Sequence, residues 1–196
     1  IEAVDGPINA LPLRFFERAR AAAKAMTPRT NDRRGWLAGL PIAIKDYNDV
    51  AGQATTYGSP IFRNNVPAQS DTTVLALEAN GAIAIAKSNV PEFAGANTFN
   101  PVYGATRNPW SLERSAGGSS GGSAAALASH MIWLATGNDL GGSLRIPASF
   151  CGVVGLRPSV GRVPRPAANP AFDALWVEGP MGRSVGDVAL MLDAEA

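Results

Sequence analysis

Two five-residue runs, Leu40–Ile44 (LPIAI) and Ala82–Ala86 (AIAIA), contain no polar residue, and each is followed at once by a lysine, Lys45 and Lys87. Runs this short and this uniformly apolar read as buried strands. Between them, Thr72–Asn80 reads as a helix with Asp71 as its N-cap and Gly81 closing it. A helix feeding a strand through a glycine is α/β wiring. The chain carries 21 glycines and 15 prolines in 196 residues, above the usual combined share of about 12%. That composition suits a loop-rich α/β or β architecture rather than a helical bundle.

Leu11–Met26 mixes Ala, Arg, Lys and Glu with spaced apolar residues and predicts an exposed amphipathic helix, followed by a polar turn over Thr27–Gly35. Phe93–Arg114, crowded with Asn, Pro, Gly and Thr, predicts a long, mostly irregular excursion of the kind that often carries function. Ala124–Ser129 reads as a helix, and Ile132–Ala135 and Val153–Leu156 as further strands. Ser184 with Asp187 makes a capping box for a helix to about Leu192. The chain opens at Ile1, not Met, and its start reads as the inside of a helix, so it reads as a piece of a longer chain.

Composition narrows the function classes. A formal net charge of +1 gives no reason to expect a nucleic-acid or membrane-surface partner. With 46% hydrophobic and 17% charged residues the chain supports a sizeable core. No apolar run is long enough to cross a bilayer, and no signal-peptide pattern is present. A lone cysteine, Cys151, forms no internal disulfide and leaves zinc ribbons and fingers short of ligands. A reducing, cytoplasmic location is the expectation.

Two serine-bearing glycine loops dominate the chemistry, Gly117–Gly122 and Gly141–Ser143. Glycine lets successive backbone N–H groups point into one cavity that holds an anion or oxyanion. A phosphate-binding P-loop is disfavoured because Ser123 stands where its lysine belongs. Gly117–Gly121 satisfies G-x-S-x-G, but that elbow needs an acid and then a histidine downstream. The sole histidine, His130, is eleven residues on, placed within the same helix, and reads as a helix-face residue. Cys151 reads as a buried structural residue. A nucleophilic serine without a useful histidine needs a lysine as base. That lysine must be neutral, so its pKa must fall by about 3 pH units, roughly 4 kcal/mol. Lys45 is the candidate and Lys87 the rival. For an arbitrary lysine, reaching solvent is commoner. Asp46 and Asp139 read as acids bonding loop amides.

The motifs taken together resemble the amidase signature family over about Leu37–Val188. They include Gly39–Asp46 (GLPIAIKD), Asp71–Val74 (DTTV), Lys87–Asn89 (KSN), Pro91–Ala94 (PEFA), Gly117–Ser123 (GGSSGGS), Asp139–Arg145 (DLGGSLR) and Gly152–Pro158 (GVVGLRP). The resemblance implies a Ser–cis-Ser–Lys triad, with Ser143 as nucleophile, Ser119 as the cis-peptide serine and Lys45 as base. It further implies an oxyanion site at Leu140, Gly141, Gly142 and the Ser143 N–H, a supporting polar shell of Ser120, Asp139 and Arg145, and Phe93 on the acyl pocket. Asn138 departs from the Thr or Ser common in the family, and Ile146 from the Gln usual after the arginine in the glutaminase components of tRNA-dependent amidotransferases.

The expected fold is therefore α/β, a mixed sheet with helices on both faces, of amidase-signature type and incomplete at both ends. It is a single partial domain with an N-terminal helix and linker over 1–35 and a catalytic core segment over 36–196. The expected activity is hydrolysis of a linear carboxamide or aryl amide, a small-molecule substrate, with no metal and no organic cofactor. A glutaminase component of an amidotransferase and a catalytically silent scaffold are the competing readings. Sheet edges left open by missing strands make a homo-oligomer the expected association.

Overall fold

The computed structural model describes residues 1–27, 34–165 and 173–196. The turn expected over Thr27–Gly35 falls mostly outside the described residues. In chain order the elements are α1 (Asp5–Ile8), β1 (Leu13–Arg14), α2 (Phe16–Ala25), β2 (Pro41–Lys45), α3 (Thr72–Ala79) and β3 (Ile83–Ser88). Four short strands follow, β4 (Phe99–Asn100), β5 (Gly104–Ala105), β6 (Arg107–Asn108) and β7 (Ser111–Ser115). The chain continues through α4 (Gly121–Ala128), β8 (Leu134–Asp139), α5 (Arg145–Cys151), β9 (Val154–Gly155), β10 (Val177–Gly182) and α6 (Val185–Glu195).

One mixed sheet carries the order β1-β3-β2-β8-β10-β9. Strands β3, β2 and β8 run parallel, while β1, β10 and β9 pair antiparallel with their neighbours. The two apolar runs are thus adjacent parallel strands joined across α3, as their sequence pattern requires. Alternation along each strand sorts the core into two layers. Ala43, Ala86, Ala135 and Met181 pack with α4 and α5, through Ala124–Leu127, Ala148 and Cys151. Ile42, Ile44, Ala84 and Leu134 pack with α3 and α6, through Val74, Leu77, Met191 and Ala194. Among the described residues, no helix is long and apolar enough to cross a membrane.

Several expectations shift. The helix expected over Leu11–Met26 begins only at Phe16, because Leu13 and Arg14 are drawn onto the edge of β3. The strand expected at Ile132–Ala135 runs instead from Leu134 to Asp139, extended by pairing with β10 through Val177↔Asp139. The strand placed at Val153–Leu156 shortens to β9, Val154–Gly155. Asp71 precedes α3 without capping it, because its Oδ2 accepts from the Asp49 N–H at 2.8 Å. The capping box of Ser184 and Asp187 forms as expected at α6. The excursion over 93–114 is irregular apart from a short 3-10 turn (Glu92–Ala94) and the two-stranded pairs β4–β5 and β6–β7.

Helix α4 approaches the chain before it so closely that Gly122 has no room for a side chain. A Cβ there would lie 2.3 Å from Asn89 N and 2.8 Å from Ala10 O. Gly122→Ala is expected to lower stability by about 1–3 kcal/mol. Gly186→Ala in α6, where an added Cβ would meet only Ser184 Oγ, at an ordinary 3.7 Å, is expected to be neutral or stabilising by up to about 1 kcal/mol. Denaturant midpoints of the two variants check both.

Candidate active site

Strand β2 ends by handing Lys45 to the neighbouring strand. Its pairing with β8 stops at Ala43↔Ala135, and the Lys45 N–H donates instead to Thr136 Oγ1 at 2.8 Å. The side chain is completely buried and its Nζ lies within hydrogen-bond distance of three oxygens, Ser119 Oγ at 2.7 Å, Ser120 Oγ at 2.8 Å and Asn138 Oδ1 at 2.6 Å. Ser119 and Ser120 sit immediately ahead of α4, and the Gly118–Ser119 peptide is cis. The Tyr47 ring covers the amine, its centroid 5.0 Å from Nζ. Burial lowers the Lys45 pKa to about 7 against the opposing pull of Glu178 and Asp139.

The same apolar-run-plus-lysine pattern gives Lys87 a different fate. Ile42 pairs with Ala84 but Ala43 pairs with Ala86, so Ile85 is an extra residue in β3. This bulge reverses which face the following residues take. Lys45 then pairs with Ser88, whose Oγ lies 2.7 Å from Ser123 Oγ on α4, whereas Lys87 pairs with Ile44 on the α3 and α6 side. Lys87, the rival base, is fully buried there, not solvent-reaching as an arbitrary lysine commonly is. Its Nζ donates to Asn48 O at 2.6 Å and Thr55 Oγ1 at 2.8 Å and lies 3.6 Å from Asp46 Oδ1. Burial lowers its pKa, while the carboxylates of Asp46, Asp49 and Asp71 oppose that shift. Lys87 is therefore one half of a buried ion pair, and among the described residues Lys45 has no carboxylate as a hydrogen-bond partner.

The second glycine loop docks on this group through its backbone, where the Ser120 N–H donates to Ser143 O at 3.3 Å. Asp139 organises the loop. Its Oδ1 accepts from Gly142 N at 2.7 Å and its Oδ2 from Leu144 N at 3.2 Å, with Arg145 Nε at 3.0 Å and Arg157 on its other side. The Gly142 N–H, counted from sequence as an oxyanion donor, is thus already engaged by a carboxylate. Leu140 and Gly141 are exposed and Ser143 half-buried. Burial raises the Asp139 pKa, but the Arg145 guanidinium and the two amides outweigh it and hold the acid at about 2. A folded pKa below the unfolded value contributes stability above pH about 4 that is lost as pH falls toward about 2, roughly 2 kcal/mol in all. Asp139→Asn is expected to remove that part of the acid sensitivity, read as denaturation free energy at about pH 5 and about pH 2.5.

Phe93 is exposed and does not touch Lys45 directly. Its ring meets Phe62 at 6.2 Å, Phe62 meets Tyr57 at 5.2 Å, and Tyr57 stacks on Tyr47 at 5.9 Å. The Tyr47 hydroxyl donates to Pro91 O and accepts from Ala94 N, bracing the turn in which Phe93 and Ala94 take φ of 44° and 69°. Sequence reading missed Tyr47, although it lies two residues past the lysine. It also missed Glu178, which is buried and in register with Asn138 on β10. Burial pushes the Glu178 carboxyl up, while Trp176 Nε1 donates to it at 2.7 Å. His130 lies beyond the end of α4, exposed and beside Arg183, instead of within the helix. Cys151 is buried and its thiol is pushed up to about 12, so it is no thiolate at neutral pH.

The family model described as Amidase matches residues 1–196. The putative amidase AmiB2 of Mycobacterium bovis is 47% identical over 197 residues, covering 99% of this chain and 42% of its own length. A glutamyl-tRNA(Gln) amidotransferase component of Anaeromyxobacter dehalogenans is 45% identical over 195 residues, covering 98% of this chain and 40% of its own. The structure of a 6-aminohexanoate cyclic dimer hydrolase complexed with substrate superposes with a TM-score of 0.91 at 36% identity, over 99% of this chain and 40% of that one. The chain thus spans about two fifths of the length of these relatives. With the family model matched from end to end and the mixed sheet shared with solved relatives, this chain belongs to the amidase signature family.

Proposed function

We propose that this chain carries the catalytic group of an amidase, a hydrolase that cleaves a carboxamide C–N bond through a serine acyl-enzyme. The observation that carries the reading is Lys45 Nζ, sealed from water and 2.7 Å from Ser119 Oγ. Neutral Lys45 takes the Ser119 proton as Ser119 takes that of Ser143. Ser143 Oγ then bonds to the carbonyl carbon. The backbone N–H groups of Leu140, Gly141 and Ser143 receive the oxyanion, with Asp139 and Arg145 fixing their loop. The C–N bond breaks as the proton returns along the relay to the departing amine, and water releases the acyl group by the same path. Phe93 and the rings behind it face the acyl group, and a linear or aryl amide is the expected substrate.

A glutaminase component of an amidotransferase is the second reading, favoured by the 45% identity to the Anaeromyxobacter dehalogenans protein. Ile146 after Arg145 stands against it. Glutaminase activity that appears only with a partner protein and tRNA would establish that reading. A chain labelled by a serine probe that turns over no amide, linear, aryl or cyclic, would establish the scaffold.

Ser143→Ala is expected to abolish labelling by a fluorophosphonate, read as intact mass and mapped peptide, and full labelling of that variant overturns the assignment. Lys45→Ala is expected to slow labelling at neutral pH by about 10²–10⁴-fold, far more than Lys87→Ala, and the reverse order makes Lys87 the base. Because the base acts unprotonated, the labelling rate is expected to rise with pH through about 7 and level off above it.

A further inference from the structure

The three oxygens around Lys45 Nζ differ in kind. Ser119 Oγ and Ser120 Oγ are hydroxyls, which donate as well as accept, whereas Asn138 Oδ1 at 2.6 Å is a carbonyl oxygen that only accepts. A neutral amine has two hydrogens and one lone pair. Because Asn138 Oδ1 can only accept, its contact must take one of the hydrogens, and the lone pair is left to the serines. We propose that Asn138 is a positioning residue whose carbonyl oxygen holds one hydrogen of the Lys45 amine and so aims the nitrogen lone pair at the serine pair. This rests on Lys45 acting as the base.

Two further observations support the assignment. Asn138 is buried, and among the described residues its Nδ2 has no hydrogen-bond partner. Turned over, the amide would set its Nδ2 hydrogens against the nitrogen lone pair and take that lone pair from the serines, so the orientation with Oδ1 toward Nζ is the one that leaves the lone pair free. A Thr or Ser hydroxyl at this position would donate or accept, leaving three interchangeable partners and three directions for the lone pair. The charged and titratable groups acting on the amine are Glu178 from β10 and Asp139 from β8, with the Tyr47 ring against it, while Lys87 of β3 and Asp46 pair with each other in the opposite layer. Arg145 of α5 is engaged by Asp139, and α4 contributes none.

Lysine 13Cε NMR of the intact protein reads the amine directly, since Lys24, Lys45 and Lys87 are the lysines of the sequence. Asn138→Asp sets a carboxylate beside the amine and is expected to raise the Lys45 midpoint by about 1–3 pH units. Asn138→Leu removes the acceptor, and is expected to lower the midpoint and to slow fluorophosphonate labelling about tenfold above it. A merely structural role would slow labelling without opposite shifts. Midpoints that stay at the wild-type value in both variants, or a Leu variant that labels at the wild-type rate, overturn the proposal. Should either variant fail to fold, Asn138→Ser decides, with slowed labelling supporting the proposal and an unchanged rate overturning it. Wild-type protein labelled at Ser143 with unmoved variants sinks this inference alone. Wild-type protein unlabelled at Ser143 sinks the amidase reading, and the NMR midpoints still decide the role of Asn138.

Discussion

Withdrawing a primary amine from water and offering it only uncharged acceptors is the interaction on which this site depends. Hydration favours the ammonium ion, so its loss favours the free base. Lys45 meets two hydroxyls, one amide oxygen and an aromatic face, and among the described residues no carboxylate completes its shell. Glu178 and Asp139 act on it from beyond that shell, and each is held by partners of its own, Trp176 in one case and Arg145 with Arg157 in the other. The neighbouring lysine is the control that the molecule itself provides. Lys87 is just as deeply buried, yet Asp46, Thr55 and the Asn48 carbonyl close around it as around a cation.

A single extra residue separates these two outcomes. Were β3 regular, Lys87 would follow the other parity and project toward α4. The bulge at Ile85 sends it to the opposite layer and sets Ser88 beside Lys45, where Ser88 and Ser123 share a hydrogen bond. Sheet register thus decides which lysine meets the serines and which is neutralised by acids.

The sequence reveals those parts of the fold whose signals are local. Strands β2 and β3, helix α3 between them and the capping box of α6 each announce themselves within a few residues. Strand β10 does not, because Val-Glu-Gly-Pro-Met-Gly carries three residues that sheets usually avoid, and its identity comes from pairing with β8 and β9. Strand β8 continues through Thr136, Asn138 and Asp139, polar residues that a short apolar window passes over: Lys45, far off in sequence, bonds the first two, and Arg145 with the loop amides just past the strand holds the third. The serine loops and Lys45 are legible from their motifs. The bulge that chooses between the lysines depends on pairing between distant segments. The tyrosine over the amine and the Gly142–Asp139 bond are close in sequence, but only the folded loop geometry brings them about.

Helix α4 rests its alanines on Ala43, Ala86 and Ala135, a seam with hardly any side-chain bulk on either side. The serines at the head of that helix and the lysine at the tip of β2 are therefore held apart by a spacer of methyl groups. The thickness of that spacer bears on the separation of amine and hydroxyl, so the smallest side chains of the interior work as the gauge of the lysine–serine contact. A single added methylene along the seam would be felt first as a wider gap between that amine and those hydroxyls.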